Sequence, residues 1–328
     1  MKYRCLGRNG PSISAISMGR GSEQIRFEDE RMIRELNATL RRAHELGINF
    51  FDSSDAYWGS RHEVLFGRAI KGFRDKILIS TKFGNIDTPG GGKATNGRPE
   101  YVQQCCEASL KRMDVDMIDV YYIHRVDPGV PIEETIGAMA RLVEQGKIRH
   151  IGICEAGPET LRRAHKAHPV AALQTEYSLW FREVERDVMP VCRELGITYV
   201  AYAPLGRGLL TGRFKKPDDL APGDRRRKHP RFAAGNLERN VKLVEELEAM
   251  ARGQGVTAAQ LALAWILAQG DHIVPIPGTN HVKNLELNAA AADIRLSAEK
   301  VARLSEIFAI GAGAGERYDE VVAKGVGI

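Results

Sequence analysis

Cysteine is scarce and unpatterned in this chain of 328 residues: Cys5, Cys105, Cys106, Cys154 and Cys192 form an odd set with no Cys-x-x-Cys. That excludes a disulfide framework and a zinc knuckle, and a reducing compartment is expected. No apolar run approaches the ~20 residues that a bilayer crossing needs, and the opening stretch Met1 to Gly7 lacks the apolar segment of a signal peptide. The expectation is a cytoplasmic protein with no membrane partner. Charge of one sign is barely in excess, since 47 Lys+Arg against 42 Asp+Glu leave a formal +5. This is too little to indicate nucleic acid, though it suits a phosphate-bearing ligand. No Gly-x-Gly-x-x-Gly follows the first apolar run, so the doubly wound dinucleotide fold lacks its fingerprint. Nor does a His-x-His or His-Glu-x-x-His stand at a strand end or on a helix, and no metal is expected.

What is present is an ordinary globular composition, 43% hydrophobic and 27% charged, which excludes disorder and fibrous repeats. Short β-branched runs alternate with longer amphipathic stretches. The runs are Ala15 to Gly19, Asn49 to Ser53, Ile77 to Lys82, Ile118 to His124, His150 to Cys154, Ala171 to Glu176, Thr198 to Ala203 and Ile273 to Pro277. Helical patterns fall at Met32 to Leu46, Pro99 to Met113, Ile132 to Gln145, Glu159 to Ala167, Glu185 to Leu195 and Leu261 to Ala268. Pro99 and Pro158 mark first helical turns, Gly47, Gly146 and Gly196 mark stops, and Thr257-x-x-Gln260 reads as a capping box. Eight βα units with no linker predict an α/β fold, a (β/α)8 TIM barrel in a single domain over residues 1–328. Asn9-Gly10-Pro11 predicts a hairpin before the first unit. A long loop, Gly206 to Gly235, follows the seventh strand; an extra helix, Ala298 to Phe308, and a glycine-rich tail follow the barrel, over its mouth or on its outer surface.

Active sites of such barrels lie at the C-terminal ends of the strands, which selects polar residues that end apolar runs. Asp52 ends the second strand, Lys82 the third and His124 the fourth, with Tyr57 in the loop after Asp52. Each alone has a bland reading as a cap, an ion pair or a structural histidine; four complementary titratable groups at one rim point to chemistry. Trp58, Phe83, Arg125, Tyr177 and Trp180 also follow strand ends, and with Arg317 and Tyr318 of the tail they are candidates either for a pocket wall or for packing. The Arg225 to Lys228 run reads as a solvated patch before a cofactor clamp, and Cys105-Cys106 as core before a redox pair.

The segments Gly47-Ile-Asn-Phe-Phe-Asp52-Ser-Ser-Asp-Ala-Tyr57, Ile79-Ser-Thr-Lys82 and Asp119-Val-Tyr-Tyr-Ile-His124 resemble the aldo-keto reductase superfamily, whose members carry an Asp, Tyr, Lys, His tetrad. Gly146 to Gly152, Gln174 to Leu179, Ala201 to Gly208 and Pro275 to Thr279 extend the resemblance over nearly the whole chain, and Leu205 to Phe214, Gly223 to Phe232 and Gln260 to Gly278 look most like the branch with pyridoxal reductases and plant and fungal carbonyl reductases. The resemblance implies NADPH-dependent reduction of an aldehyde or ketone, and the aromatic candidates after the strand ends suit a small-molecule substrate of aromatic or heterocyclic kind. In that chemistry the carbonyl oxygen needs a proton, and a phenol of pKa ~10 is a poor acid unless a cation stands beside it. By resemblance Tyr57 is the acid, Lys82 tunes it, Asp52 holds Lys82 and His124 orients the carbonyl. The resemblance further assigns Cys154, Glu155 and Gln174 to the nicotinamide carboxamide and Tyr202 to its ring. Leu205, Gly206 and Arg207 fall to the pyrophosphate, Gly278, Thr279, Asn280 and Lys283 to the 2′-phosphate, and Asn288 to the adenine. Two departures stand out: Cys154 replaces the usual Ser, a weaker partner, and His281 and Asn284 stand where many relatives have Arg or Lys, so NADH is a possible second cofactor. Two alternatives remain open, a cofactor-binding regulatory subunit with little turnover and a metal-dependent barrel hydrolase.

Overall fold

The structure is a computed structural model that describes residues 1–21, 25–88, 93–318 and 326–327. An antiparallel hairpin of β1 (Tyr3–Cys5) and β2 (Ser12–Ser14) opens the chain, as the Asn-Gly-Pro turn predicts. There follow β3 (Phe50–Asp52), β4 (Leu78–Phe83), a small antiparallel pair β5 (Asn85–Asp87) and β6 (Lys93–Thr95), β7 (Ile118–Ile123), β8 (Ile148–Cys154), β9 (Val170–Glu176), β10 (Thr198–Tyr202) and β11 (Ile273–Pro275). The sheet runs β3-β4-β7-β8-β9-β10-β11, and every pair in it is parallel. The run Ala15 to Gly19 closes it. Met18 bridges Phe51 on one side and Gly19 bridges Gly278 on the other; Ser17 N–H donates to Pro275 O at 3.0 Å, and Met18 N–H to Phe50 O at 3.0 Å. The expected (β/α)8 barrel is therefore what the chain forms, with its first strand reduced to these bridges.

Among the described residues ten helices surround it: α1 (Glu30–Glu45), α2 (Arg61–Ile70), α3 (Pro99–Met113), α4 (Ile132–Glu144), α5 (Pro158–Ala167), α6 (Val188–Leu195), α7 (Asn236–Arg252), α8 (Ala258–Leu267), α9 (Val282–Ala290) and α10 (Ala298–Ile307). The boundary signals act as read. Pro99 and Pro158 open α3 and α5, Gly196 ends α6 at φ +69°, and Thr257 and Gln260 satisfy each other's backbone N–H groups at 3.0 and 3.2 Å. Two patterns differ. Residues Glu183–Glu185 form a separate 3-10 turn, because the Asp187 carboxylate takes the Val188 N–H at 2.6 Å and starts α6 afresh. Helix α2 went unread because it starts after a left-handed Ser60 with no side-chain cap.

Strand side chains alternate between two cores. Those facing the helices, such as Phe51, Ile79, Tyr121 and Leu173, pack with helix residues such as Leu36 and Leu261. Those facing the barrel axis, Phe50, Leu78, Val120, Ala172, Val200 and Val274, form a second apolar layer that Leu6 and Ile13 seal at the N-terminal end. Two residues further along the same inward faces come Asp52, Ser80, Tyr122, Gln174 and Tyr202; a further step on β4 and β9 reaches Lys82 and Glu176. On β3, β4, β7, β9 and β10 the period of two thus carries the strand from an apolar floor to a polar rim, whereas β11 steps from Val274 to apolar Ile276.

Gly278 sits where the seam is tightest, since a Cβ there would lie 1.9 Å from the carbonyl oxygen of Arg20. Backbone cannot retreat as a side chain tip would. Gly278→Ala is expected to cost about 1–3 kcal/mol, the range for forced overpacking. An unchanged urea midpoint would show that the seam is looser than described.

Candidate active site

Lys82, at the inward end of β4, has no exposed surface. Its ammonium has three donors and meets three acceptors: Asp52 Oδ2 at 2.5 Å, Ser53 O at 2.7 Å and Tyr57 Oη at 3.4 Å. The other Asp52 oxygen accepts from Ser80 Oγ at 2.8 Å and from Gln174 Nε2 at 3.0 Å, so a residue of β9 reaches across the barrel to brace the pair. Burial by itself would lower the Lys82 pKa; the Asp52 charge, helped by Tyr57 and Cys154, outweighs it and holds the ammonium above the usual lysine range. Asp52 and Lys82 from strand ends and Tyr57 from the loop after β3 therefore meet at one ammonium.

Tyr57 is half-buried and its ring is fixed from several sides. The Arg20 guanidinium lies 4.6 Å from the ring centroid, and His124 meets it edge-on at 6.0 Å between ring centroids. Desolvation, then the charges of Lys82, Arg125 and Arg20, hold the His124 imidazole well below its ordinary pKa, so it is neutral at physiological pH. Its Nδ1 lies 3.1 Å from Ser54 Oγ, which also takes the Ala56 N–H at 3.2 Å and stands 3.3 Å from Asp55 Oδ1. Behind these, Ser53 Oγ bonds His62 Nδ1 at 2.7 Å, and burial with the nearby Arg20 and Lys82 lowers His62 to about 3.

On the opposite rim, Cys154 is buried, and burial pushes its thiol up to about 12 against the pull of Lys82 and Arg125. It is an S–H donor there and no thiolate. Glu155 and the fully buried Glu176 face a cluster of guanidinium groups. Arg317 from the tail bonds both Glu155 oxygens, reaches Glu176 Oε2 at 3.0 Å and donates to Tyr202 Oη at 2.7 Å. Arg207 and Arg231 from the long loop add contacts to Glu176 at 3.3 and 3.2 Å. Burial would raise the Glu176 pKa, but Arg317, Arg207 and Arg231 overcome it and the carboxylate stays below its usual range. Tyr318 closes the group with its hydroxyl 2.5 Å from that of Tyr202. Leu205 and Gly206 form the turn after β10, whose residues Gly206, Arg207 and Gly208 all have positive φ.

Past β11, Thr279, Asn280 and Asn288 are buried, while Lys283 is exposed in the first turn of α9, a turn without an acidic residue. His281 is committed to Glu35, Nδ1 to Oε1 at 2.6 Å. Among the pocket candidates, Phe83 stacks on Tyr121 at 4.9 Å and Tyr177 bonds Glu185 at 2.8 Å, both fully buried, so these two are packing. Trp58 and Arg125 stay at the mouth; the latter donates to the His124 carbonyl at 2.7 Å. The Arg225 to Lys228 run splits: Arg225, Arg227 and Lys228 are exposed, whereas Arg226 turns in to Asp224 and the Arg207 carbonyl. Cys106 is core, as read.

Sequence reasoning passed over Arg20, Ser54, Asp55, His62 and Glu176. Arg20 and Glu176 end apolar runs and obeyed the rule that selected Asp52; Ser54 and Asp55 lay inside the quoted motif. His62 had no signal, since it comes from the unread α2.

Removing the ammonium should leave Asp52 buried with two neutral donors. Lys82→Met is expected to lose about 3–5 kcal/mol of unfolding free energy, as when one member of a buried pair is deleted. A loss below ~1 kcal/mol in urea denaturation would mean that the pair is hydrated and not the closed unit described.

Comparison with known proteins places the chain in a family. The sequence profile of the Aldo/keto reductase family matches residues 17–309. A probable aldo-keto reductase 1 of Glycine max is 44% identical over 314 residues, 95% of this chain and 90% of that protein. Among solved structures, a glycerol dehydrogenase from Gluconobacter oxydans superposes with a TM-score of 0.83 at 26% identity, covering 94% of this chain and 95% of its own. An aldo/keto reductase from Klebsiella pneumoniae, solved in complex with NADP and acetate, gives 0.74 at 26% identity over 97% and 99%. No helix among the described residues is long and apolar enough to cross a membrane. Profile and relative alike span most of the chain, and the protein belongs to the aldo/keto reductase family of oxidoreductases.

Proposed function

We propose that this chain, acting as one barrel domain in the cytoplasm, reduces the carbonyl of a small aldehyde or ketone to the alcohol with NADPH. The observation that carries the reading is the Lys82 ammonium held between Asp52 and the Tyr57 hydroxyl. Tyr57 gives its proton to the carbonyl oxygen as charge develops there, and Lys82 stabilises the phenolate left behind at 3.4 Å. Neutral His124 donates from Nε2 to the same oxygen and fixes its approach.

The donor set fits a dinucleotide phosphate. Arg207 Nε and Arg231 Nε are buried with no acceptor among the described residues, and Arg207, Arg231 and Arg317 outnumber Glu155 and Glu176 by one positive charge, so this cluster would accept an anion. Lys283 adds a cation at the positive end of α9, a placement that an anion would make favourable. In this reading Cys154, Glu155 and Gln174 hold the carboxamide, Tyr202 backs the ring, Leu205, Gly206 and Arg207 take the pyrophosphate, and Gly278, Thr279, Asn280, Lys283 and Asn288 take the adenosine phosphate end. When bound, the reduced nicotinamide supplies the hydride. Trp58, Arg125 and Tyr318 at the mouth suit an aromatic or heterocyclic substrate.

The test follows NADPH consumption with a panel of aromatic aldehydes, a heterocyclic aldehyde and a ketone, then repeats it with Tyr57→Phe. The variant should lose kcat by roughly two or more orders of magnitude with NADPH affinity retained in a fluorescence titration. Wild-type turnover in Tyr57→Phe would remove Tyr57 as the acid. A silent wild type that still binds NADPH would favour a cofactor-binding regulatory protein.

A further inference from the structure

Asp55 is a titratable carboxyl beside the reacting groups that the mechanism above leaves unused. It is only half-exposed. From α2 it faces Glu63, from α3 Tyr101, Cys105 and Arg112, and from β7 the neutral phenol of Tyr121. The cation on that side is committed elsewhere, since Arg112 Nε bonds Glu63 Oε2 at 2.5 Å. On its other side stands the Ser54 hydroxyl at 3.3 Å, and beyond it His124 Nδ1 at 3.1 Å. His124 in turn is faced by Lys82, Arg125, Arg20 and Tyr57.

The hydrogen-bond capacity of Ser54 makes this chain directional. A hydroxyl has one proton and two lone pairs, and the Ala56 N–H already occupies one lone pair. One proton and one lone pair remain for two neighbours, so Ser54 donates to one and accepts from the other. If Asp55 is ionised it can only accept; Ser54 donates to it and accepts the hydrogen bond of His124 Nδ1–H, so the single ring proton stays on Nδ1 and Nε2 is bare. If Asp55 is protonated it donates to Ser54, Ser54 donates to Nδ1, and the ring proton resides on Nε2. Only the second arrangement offers the carbonyl a hydrogen bond.

We infer that Asp55, through Ser54, decides which ring nitrogen of His124 carries the proton, and is thereby a positioning residue for the carbonyl; this rests on the carbonyl-reduction reading. The proton count closes. The active arrangement holds three protons, on Asp55, Ser54 and Nε2, and the other holds two, on Ser54 and Nδ1. In passing between them Nε2 releases its proton into the pocket while Asp55 passes one to Ser54 and Ser54 passes one to Nδ1. Burial, with the Glu63 charge, raises Asp55 to about 7 against the pull of Arg112. The carboxyl is therefore neutral below that pH and ionised above it, and carbonyl reduction falls as pH rises through it.

The experiment is a pH titration of ¹⁵N-histidine-labelled protein between about pH 5.5 and 8.5, bracketing that midpoint. His124 is assigned by its loss in His124→Gln, and the kcat of reduction is measured in parallel. In the wild type His124 should change from Nε2-protonated to Nδ1-protonated in step with the fall in kcat. Asp55→Asn, whose amide donates to Ser54 as the protonated carboxyl does, should keep the Nε2 tautomer throughout and reduce faster than wild type by about tenfold at pH ~8. A tautomer that ignores pH in the wild type, or an unchanged kinetic limb in Asp55→Asn, overturns the inference. Should Asp55→Asn not fold, Ser54→Ala cuts the same chain; a tautomer change that persists there overturns it equally. The nitrogen shifts read the relay without turnover, so failure of the reduction reading would show separately, as wild-type silence on the carbonyl panel.

Discussion

The rim of this barrel is organised around one buried ion pair. Taking a carboxylate and an ammonium out of water costs several kcal/mol each, and their attraction offsets it only if every remaining lone pair and proton finds a partner. Asp52 and Lys82 meet that condition through Ser80, Gln174, the Ser53 carbonyl and Tyr57. The demand ties β3, β4 and β9 together across the axis. It also leaves one ammonium proton directed at a phenol, and that contact is the one on which the proposed acid role of Tyr57 rests.

The same problem is solved a second time at the ends of β8 and β9. Glu176 has no contact with solvent, and three guanidinium groups from remote parts of the chain neutralise it: Arg207 and Arg231 from the long loop and Arg317 from the tail. Two segments that add nothing to the barrel walls are thus bound to its mouth by charge. Arginine suits this task, because its planar fork can serve Glu155, Glu176 and the Tyr202 hydroxyl at once. The mouth on this side therefore takes its shape from electrostatics, while the floor on the opposite end takes its shape from Leu6 and Ile13 sealing apolar strand faces.

Beside the Asp52–Lys82 pair, hydroxyl groups link the remaining polar side chains, Ser53 to His62 and Ser54 to His124 and Asp55. Burial first, and then the charges of Lys82, Arg125 and Arg20, keep His124 from protonating. A neutral imidazole has one ring proton to place, and the hydroxyl beside it chooses the place. Electrostatics sets the charge of the ring, and hydrogen-bond capacity sets its tautomer.

Local signals determined much of this protein. Alternation of apolar runs with amphipathic stretches, prolines at helix starts and the Thr257–Gln260 box depend on neighbours a few residues apart, and they specified the helices and strands. The inward step of two placed Asp52 and Lys82 at strand ends, and the motif around Tyr57 and His124 made the family readable. Where a cap restarts a helix, as at Asp187, or where a helix begins without one, as at Ser60, the pattern misled or was silent. Tertiary structure alone decided that Gln174 braces Asp52 over 122 positions of sequence separation, that Arg317 joins Glu155 over 162, and that Phe83 and Tyr177 are packing while Arg317 and Tyr318 reach the mouth. The physical reason is that a buried charge is answered by whatever group the closed barrel brings within about 3 Å, and chain order carries no record of that distance.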